Sequence, residues 1–202
     1  MTSAVALHPR RPAVATLAGS SGPLTLRQAM PEDARAIYDL IAQHLNEGHL
    51  LPRHLGEVSA HAHRFVVAVD DGEIIGCADL APLSRTVAEV RSLVVSTAAR
   101  SGGVGARLVD ALVARATQDG FERLCAFTHA PAYFVQRGFS IVPHAWIPEK
   151  ISADCGTCAQ FRRCGQYAVM LPLYGGPPEE PASPKRDGAK AGGHYKETSF
   201  HG

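Results

Sequence analysis

Residues 88–106 read AEVRSLVVSTAARSGGVGA, and this stretch decides how the chain folds. It begins as a strand: Val87 just ahead of it, then Ala88, Val90, Val94 and Val95, are small or β-branched residues that fit a pleated, mostly covered surface. A short polar turn leads into Arg100-Ser101-Gly102-Gly103-Val104-Gly105-Ala106 and on into an amphipathic helix. A strand that feeds a glycine-rich turn and a helix start is a device for holding phosphate. The glycines let the backbone come close, successive N–H groups point outward, and the first helical turn adds partial positive charge. The ligand expected at this loop therefore carries a diphosphate.

The spacing of the glycines narrows the choice. A Walker-type loop needs G-x-x-x-x-G-K-(S/T), and no such lysine follows these glycines. A dinucleotide fingerprint needs a third glycine where Leu108 stands. What remains, Arg100-x-x-Gly103-x-Gly105, resembles the (Q/R)-x-x-G-x-(G/A) signature of the GNAT acetyltransferase superfamily. That resemblance implies a loop that takes the pyrophosphate of acetyl-CoA, through the backbone of Arg100, Ser101, Gly102, Gly103, Val104, Gly105 and Ala106.

The chain has 202 residues, a formal net charge of +1 and 46% hydrophobic residues, so one domain with ragged ends is expected. The near-neutral balance gives no reason to expect nucleic acid as a partner, because that announces itself as a basic face. No apolar run reaches the ~20 residues needed to span a bilayer, so no membrane is expected either. Residues 1–23 carry Arg10 and Arg11 and no acid. They fit a disordered leader better than a transit peptide or a twin-arginine signal without an apolar core. Five cysteines, odd in number and unevenly spread, favour free thiols in a cytoplasmic protein.

Outward from the central stretch, 24–27 alternates as a strand, and Pro31-Glu32-Asp33 opens a helix with the stripe Ala34, Ile37, Leu40, Ile41 and Leu45. Residues 46–60 are irregular. The runs 64–70 and 73–80 make a hairpin around Asp71-Gly72. The strand 87–95 follows, then a helix from about 104 to 119 closed by Gly120. After it come a strand at 123–128, a short helix at 132–137 ending at Gly138, and strands beginning at 139 and 167. From Tyr174 the Pro/Gly/Lys/Glu-rich tail lacks the apolar content to fold. The order β-α-β-β-β-α-β-α-β-β is a mixed α/β sheet with helices on its faces, expected over 24–173 between a disordered leader (1–23) and tail (174–202).

This order is also that of the GNAT fold, and Tyr133-Phe134-Val135-Gln136-Arg137-Gly138-Phe139 resembles the family's aromatic helix ending in Gly-Phe. Three further segments resemble the short bacterial N-acetylglutamate synthases and the acetyltransferase tails of argininosuccinate lyases. They are 89–95 with the Gly76-Cys77-Ala78 step before it, Trp146-Ile147-Pro148-Glu149-Lys150-Ile151, and Asp154-Cys155-Gly156-Thr157-Cys158. The resemblance implies acetyl transfer from acetyl-CoA to the α-amine of an amino acid, L-glutamate first, in arginine biosynthesis. It also implies a dimer, the superfamily's habit.

Acetyl transfer to an amine needs a group to take a proton, donors for a developing oxyanion, and a grip on the acceptor. Glu89 is the expected base. On a strictly alternating strand it shares a face with Arg91 and Leu93, ~7 Å apart in successive steps, while Val90, Ser92 and Val94 point the other way. Arg91 then grips an acceptor carboxylate with its forked guanidinium. The competing reading is an ion pair between the two on a solvated face. The resemblance implies a bulge near the end of this strand, with the backbone of Leu93, Val94 and Val95 holding pantetheine. The family's thiolate-reprotonating tyrosine is replaced by Phe134, so the neighbouring Tyr133 is the substitute acid or a core aromatic. Lys150 and Arg53 are second anion grips or solvated cations.

Cys155-x-x-Cys158 with Cys164 has partial zinc spacing, with His144 or Asp154 as a fourth ligand, or that of a redox-sensitive pair. A single CxxC with no second pair leaves buried or idle thiols as the expectation, and no metal. Two alternatives to the amino-acid acceptor stand beside it: another amine (a polyamine or a protein N-terminus), and a non-catalytic acyl-CoA-binding or thiol-sensing module.

Overall fold

The computed structural model describes residues 24–47, 50–158 and 161–173; the expected leader and tail lie outside them. Twelve elements follow in order: β1 (Thr25–Gln28), α1 (Ala34–His44), α2 (Leu55–Ala60), β2 (Phe65–Asp70), β3 (Glu73–Pro82), β4 (Val87–Val95), α3 (Val104–Gln118), β5 (Arg123–Thr128), α4 (Pro131–Val135), β6 (Ser140–Val142), α5 (Pro148–Ala153) and β7 (Tyr167–Pro172). They build one seven-stranded mixed sheet in the order β1-β2-β3-β4-β5-β7-β6. The β4–β5 pair is parallel and every other pair antiparallel.

Local chemistry accounts for most of the boundaries. Asp71 and Gly72 both take positive φ, 48° and 79°, whose twist matches the flanking β2 and β3. Asp33 accepts the Met30 N–H at 2.7 Å and a forked pair of bonds from Arg27 at 2.6 and 2.9 Å, which anchors the start of α1 to β1. α3 is closed by Gly120 at φ 82°. α2 and α5 were not expected. Each has six residues; α2 buries only Val58 and α5 buries none, so neither carries a legible stripe.

Two layers cover the sheet. On one face α3 presents Val104, Leu108, Val109, Leu112 and Ala116 to Ala78, Leu80, Ala88 and Val90, with Phe134 and Phe139 completing that core. On the other, α1 brings Ala34, Ile37, Leu40 and Ile41 against Phe65, Val67 and Cys77, while Ile147 and Trp146 pack on Val87, Cys125 and Met170. Emptying a fully buried position such as Leu108 costs about 2–5 kcal/mol.

β4 departs from strict alternation, which corrects the expected facing of its residues. Its register against β3 slips between Arg91, opposite Asp79, and Val94, opposite Cys77, and Ser92 takes φ 48°. Two residues of β4 there oppose one of β3, a bulge that turns the strand over. Glu89 and Arg91 therefore share the face opposite α3, but Leu93 packs with Val90 on the α3 side and Val94 turns to α1. The parallel pairing of β4 with β5 covers only Val87–Glu89 against 123–125, after which the two strands diverge.

Candidate active site

The divergence of β4 and β5 opens a cleft of about 1470 Å³ that runs through the sheet. Residues 89–95 line one wall and residues 126–130 the other. Residues 99–101 and 103–106, with Tyr133, lie at one end, and Lys150, Asp154, Cys155 and Cys158 border the other. The loop and the charged side chains stand on different faces of the sheet, and the splay joins them.

At the loop end, Ser101 and Gly103 both adopt left-handed backbone, φ 69° and 75°, which turns the chain into the start of α3. A Cβ on Gly105 would come within 2.8 Å of the Tyr133 hydroxyl, so glycine there lets the tyrosine reach the first helical turn. That hydroxyl is buried and has no hydrogen-bond partner, and burial raises its pKa, keeping it protonated at neutral pH. Arg137 stacks 3.9 Å above the Tyr133 ring and donates to the Tyr133 carbonyl at 2.6 Å. Arg100 pairs with Glu47 at 2.7 and 2.8 Å and donates to the Val95 carbonyl. An amide-lined helix start beside a basic residue and an unpartnered hydroxyl suits a pyrophosphate and its pantetheine arm.

At the opposite end, Glu89 is 3% exposed and takes two cations. Lys150 Nζ lies 2.8 and 2.9 Å from its two oxygens, and Arg91 Nε donates to Oε2 at 2.5 Å. Three of about four carboxylate acceptor sites are thereby filled, leaving room for one water. The competing ion pair between Glu89 and Arg91 exists, but it is not on a solvated face: Glu89 is buried and Arg91 only 22% exposed, where losing one partner costs more than at a surface. Lys150, 13% exposed, is no solvated cation. Both it and Arg91 Nη2 also donate to Asp154 Oδ2, Lys150 at 2.9 Å. Burial works against the Arg91 charge, but Glu89 and Asp154 more than offset it and its pKa is raised. Burial likewise opposes the Asp154 charge, and the Lys150 and Arg91 cations outweigh it, holding that carboxyl below its usual range.

Arg53 is brought to the same wall. Its Nε donates to Ser92 Oγ at 3.2 Å, it pairs with Glu57, and Nη2 lies 3.5 Å from Asp79. Asp79 stands opposite Arg91 on β3, 5% exposed, with Oδ1 unpartnered, and burial pushes its pKa up to about 6.

Glu89, Arg91, Lys150 and Arg53 thus meet in one cluster, and Tyr133 sits apart against Gly105. The cluster has two further members, Asp79, which the sequence reading does not single out, and Asp154, which it places only beside the cysteines as a possible zinc ligand. Asp79 is a lone acid in the apolar run GCADLA, a signal that was legible. Asp154 lies four residues after Lys150, a helical spacing that becomes visible only once α5 exists. Cys155 and Cys158 are half-buried and Cys164 exposed, all three free thiols on the cleft, so of the two expectations, buried or idle, burial does not hold; partial burial raises the Cys155 thiol pKa. Among the described residues no cluster of His, Cys, Asp or Glu is arranged to hold a metal ion, and no helix is long and apolar enough to cross a membrane.

Residues 28–139 match the family model described as the acetyltransferase (GNAT) family. An uncharacterised N-acetyltransferase of Chlorobaculum tepidum is 30% identical over 148 residues, 73% of this chain and 96% of that protein. An amino-acid acetyltransferase of Neisseria meningitidis is 32% identical over 65% of this chain, which spans only 30% of that protein's length. Among solved structures, an N-acetylglutamate synthase from Neisseria gonorrhoeae, complexed with coenzyme A and N-acetyl-glutamate, aligns over 76% of this chain and 36% of its own, with a TM-score of 0.68 and 27% identity. A Mycobacterium tuberculosis protein in complex with CoA aligns over 73% of this chain and 98% of its own, TM-score 0.65, at 22% identity, a likeness of fold alone. With its splayed sheet, its glycine-rich helix start and this family match over more than half its length, the chain belongs to the GNAT acetyltransferase family and is an acyltransferase.

Proposed function

We propose that the chain moves acetyl from acetyl-CoA to the α-amine of a free amino acid, L-glutamate first. The observation that carries this reading is the convergence of Arg91 and Lys150 on Glu89 beside the splay of β4 and β5. Two partly buried cations at the end of a cleft suit an acceptor that brings carboxylates. Support also comes from the relatives named amino-acid acetyltransferases and from the Neisseria gonorrhoeae synthase holding N-acetyl-glutamate.

Acetyl-CoA supplies the activated acyl group and a good leaving thiolate. Its pyrophosphate rests on the amides of residues 100–106 and its pantetheine arm follows the edge of β4 at Leu93, Val94 and Val95, which β5 leaves unpaired beyond Glu89. Glu89 takes the ammonium proton through a water in its one open acceptor site, which leaves a neutral amine to attack. A backbone N–H in the bulged end of β4 faces the oxyanion. Arg91 and Lys150 hold the acceptor carboxylate near Glu89, and Arg53, itself paired with Glu57 and Asp79, is the candidate grip for the second. Tyr133 stays protonated against Gly105, at the loop end of the cleft, where it is a core aromatic first and a substitute acid second.

A thiol-release assay with acetyl-CoA across free amino acids and their amides tests the reading. L-Glutamate is the expected best acceptor, and amidating its α-carboxyl abolishes turnover. Glu89→Gln lowers kcat about a hundredfold, and Tyr133→Phe by less than about tenfold, because the thiolate leaves without much help. Equal kcat/KM for glutamate and for a polyamine or a peptide N-terminus would sink the amino-acid reading and favour the other-amine alternative.

A further inference from the structure

The charged cluster is complete without an acceptor, and that is its peculiarity. Arg91 and Lys150 supply two positive charges; Glu89 and Asp154 supply two negative ones. Glu89 belongs to the strand and is 3% exposed, fixed by its place against the core. Asp154 is different. Its side chain is 40% exposed on the rim of the cleft, and a single oxygen, Oδ2, bridges Arg91 Nη2 and Lys150 Nζ. A free carboxylate arriving from the cleft would seek the same two donors.

We propose that Asp154 is a resident stand-in for the acceptor carboxylate, which the acceptor displaces in order to bind, so that Asp154 sets the acceptor concentration at which the enzyme works. The inference rests on the amino-acid acceptor argued above. Three observations carry it. With Asp154 in place the two cations are balanced by Glu89 and Asp154, and the Nε–Nη2 edge of Arg91 is shared between those two acids, so an incoming carboxylate takes that fork only by displacing one of them. With Asp154 withdrawn, the cluster carries one positive charge and both donors face the cleft. The segment after α5 is also cheap to move: the turns at Cys155–Thr157 and Phe161–Arg163 bury no residue. The backbone of Asp154 is tied by its N–H to the Lys150 carbonyl and by a long bond from Thr157 to its own carbonyl, so its side-chain bridge to Arg91 and Lys150 does most of the holding.

The exchange makes a quantitative demand. If the bridged state holds about nine molecules in ten, removing the bridge tightens apparent acceptor affinity about tenfold. Steady-state thiol release by the full chain, with acetyl-CoA saturating, measures this for wild type, Asp154→Asn and Asp154→Ala. The acceptors are L-glutamate, L-glutamine and the α-amide of glutamate. Both variants should lower the KM for glutamate by about tenfold with a much smaller change in kcat, and the benefit should vanish for whichever amide removes the competing carboxylate. A KM that rises or stays within about twofold overturns the proposal, because Asp154 then helps bind the acceptor or merely ties down the segment.

A second measurement needs no variant. In wild type with CoA bound, saturating L-glutamate should speed backbone hydrogen exchange across residues 152–158, since the acceptor frees that segment. Slowing there overturns the exchange idea even if the kinetics improve. Failure of the underlying reading looks different: wild type would treat glutamate and both amides alike before Asp154 is touched, and the stand-in falls with it.

Discussion

At the scale of single residues, burial decides which charges matter. Asp79 is the clearest case, because one of its oxygens has no partner and its pKa is raised to about 6. A raised folded-state pKa means the folded protein holds a proton that the unfolded chain has already released. The stability Asp79 contributes is therefore full below about pH 4 and is lost as pH rises through about 6, a swing of about 3 kcal/mol. Asp79→Asn should flatten that part of the stability profile, read by urea unfolding at steps from pH 4 to 7. An unchanged slope would mean that Arg53 and Arg91 already neutralise the carboxylate. Asp33 acts in the opposite sense: Arg27 lowers its pKa despite burial, so its contribution is lost only as pH falls below the ordinary carboxylate range. The two effects occupy separate windows and can be told apart.

At the scale of elements, β4 carries the function because it is irregular. An unbroken strand would put Leu93 beside Glu89 and Arg91. The extra residue at Ser92 instead sends Leu93 to α3 and Val94 to α1, and the strand edge swings away from β5. Ser92 accepts φ 48° because it is small, and its hydroxyl accepts a bond from Arg53, which links the bulge to the anion grips. Ser92→Val places a β-branched side chain where that backbone is strained, at a cost of about 1–3 kcal/mol. It should also weaken CoA binding, measured by calorimetry, by loosening the edge that follows the pantetheine arm. A variant that loses stability yet binds CoA as wild type does would show that the bulge serves the fold alone. The bulge was implied by family resemblance and contradicted by the strand period, and the structure sides with the former.

At the scale of the whole molecule, the cleft is a gap between two halves of one sheet, so a ligand lying in it bridges both. CoA at about a hundred times its Kd should stabilise the folded chain by about 2.7 kcal/mol, roughly 5–10 °C in Tm, and a truncated pantetheine lacking the pyrophosphate by much less. Equal shifts for the two would remove the loop at 100–106 from the binding site. The order of strands, the hairpin at Asp71-Gly72, the helix over Val104–Gln118 and the glycine loop were all legible in the chain, because period, turn chemistry and glycine spacing are local properties that neighbouring residues enforce on one another. Glu89 and Arg91 were legible for the same reason, lying two apart on one strand. What the chain alone did not determine is which distant groups meet them. Lys150 stands 61 residues from Glu89 and Asp154 63 from Arg91, brought there by a six-residue helix with no buried stripe to announce it. Charge pairing across such separations depends on where the sheet splays and on what water is excluded, and only the packed tertiary structure decides either.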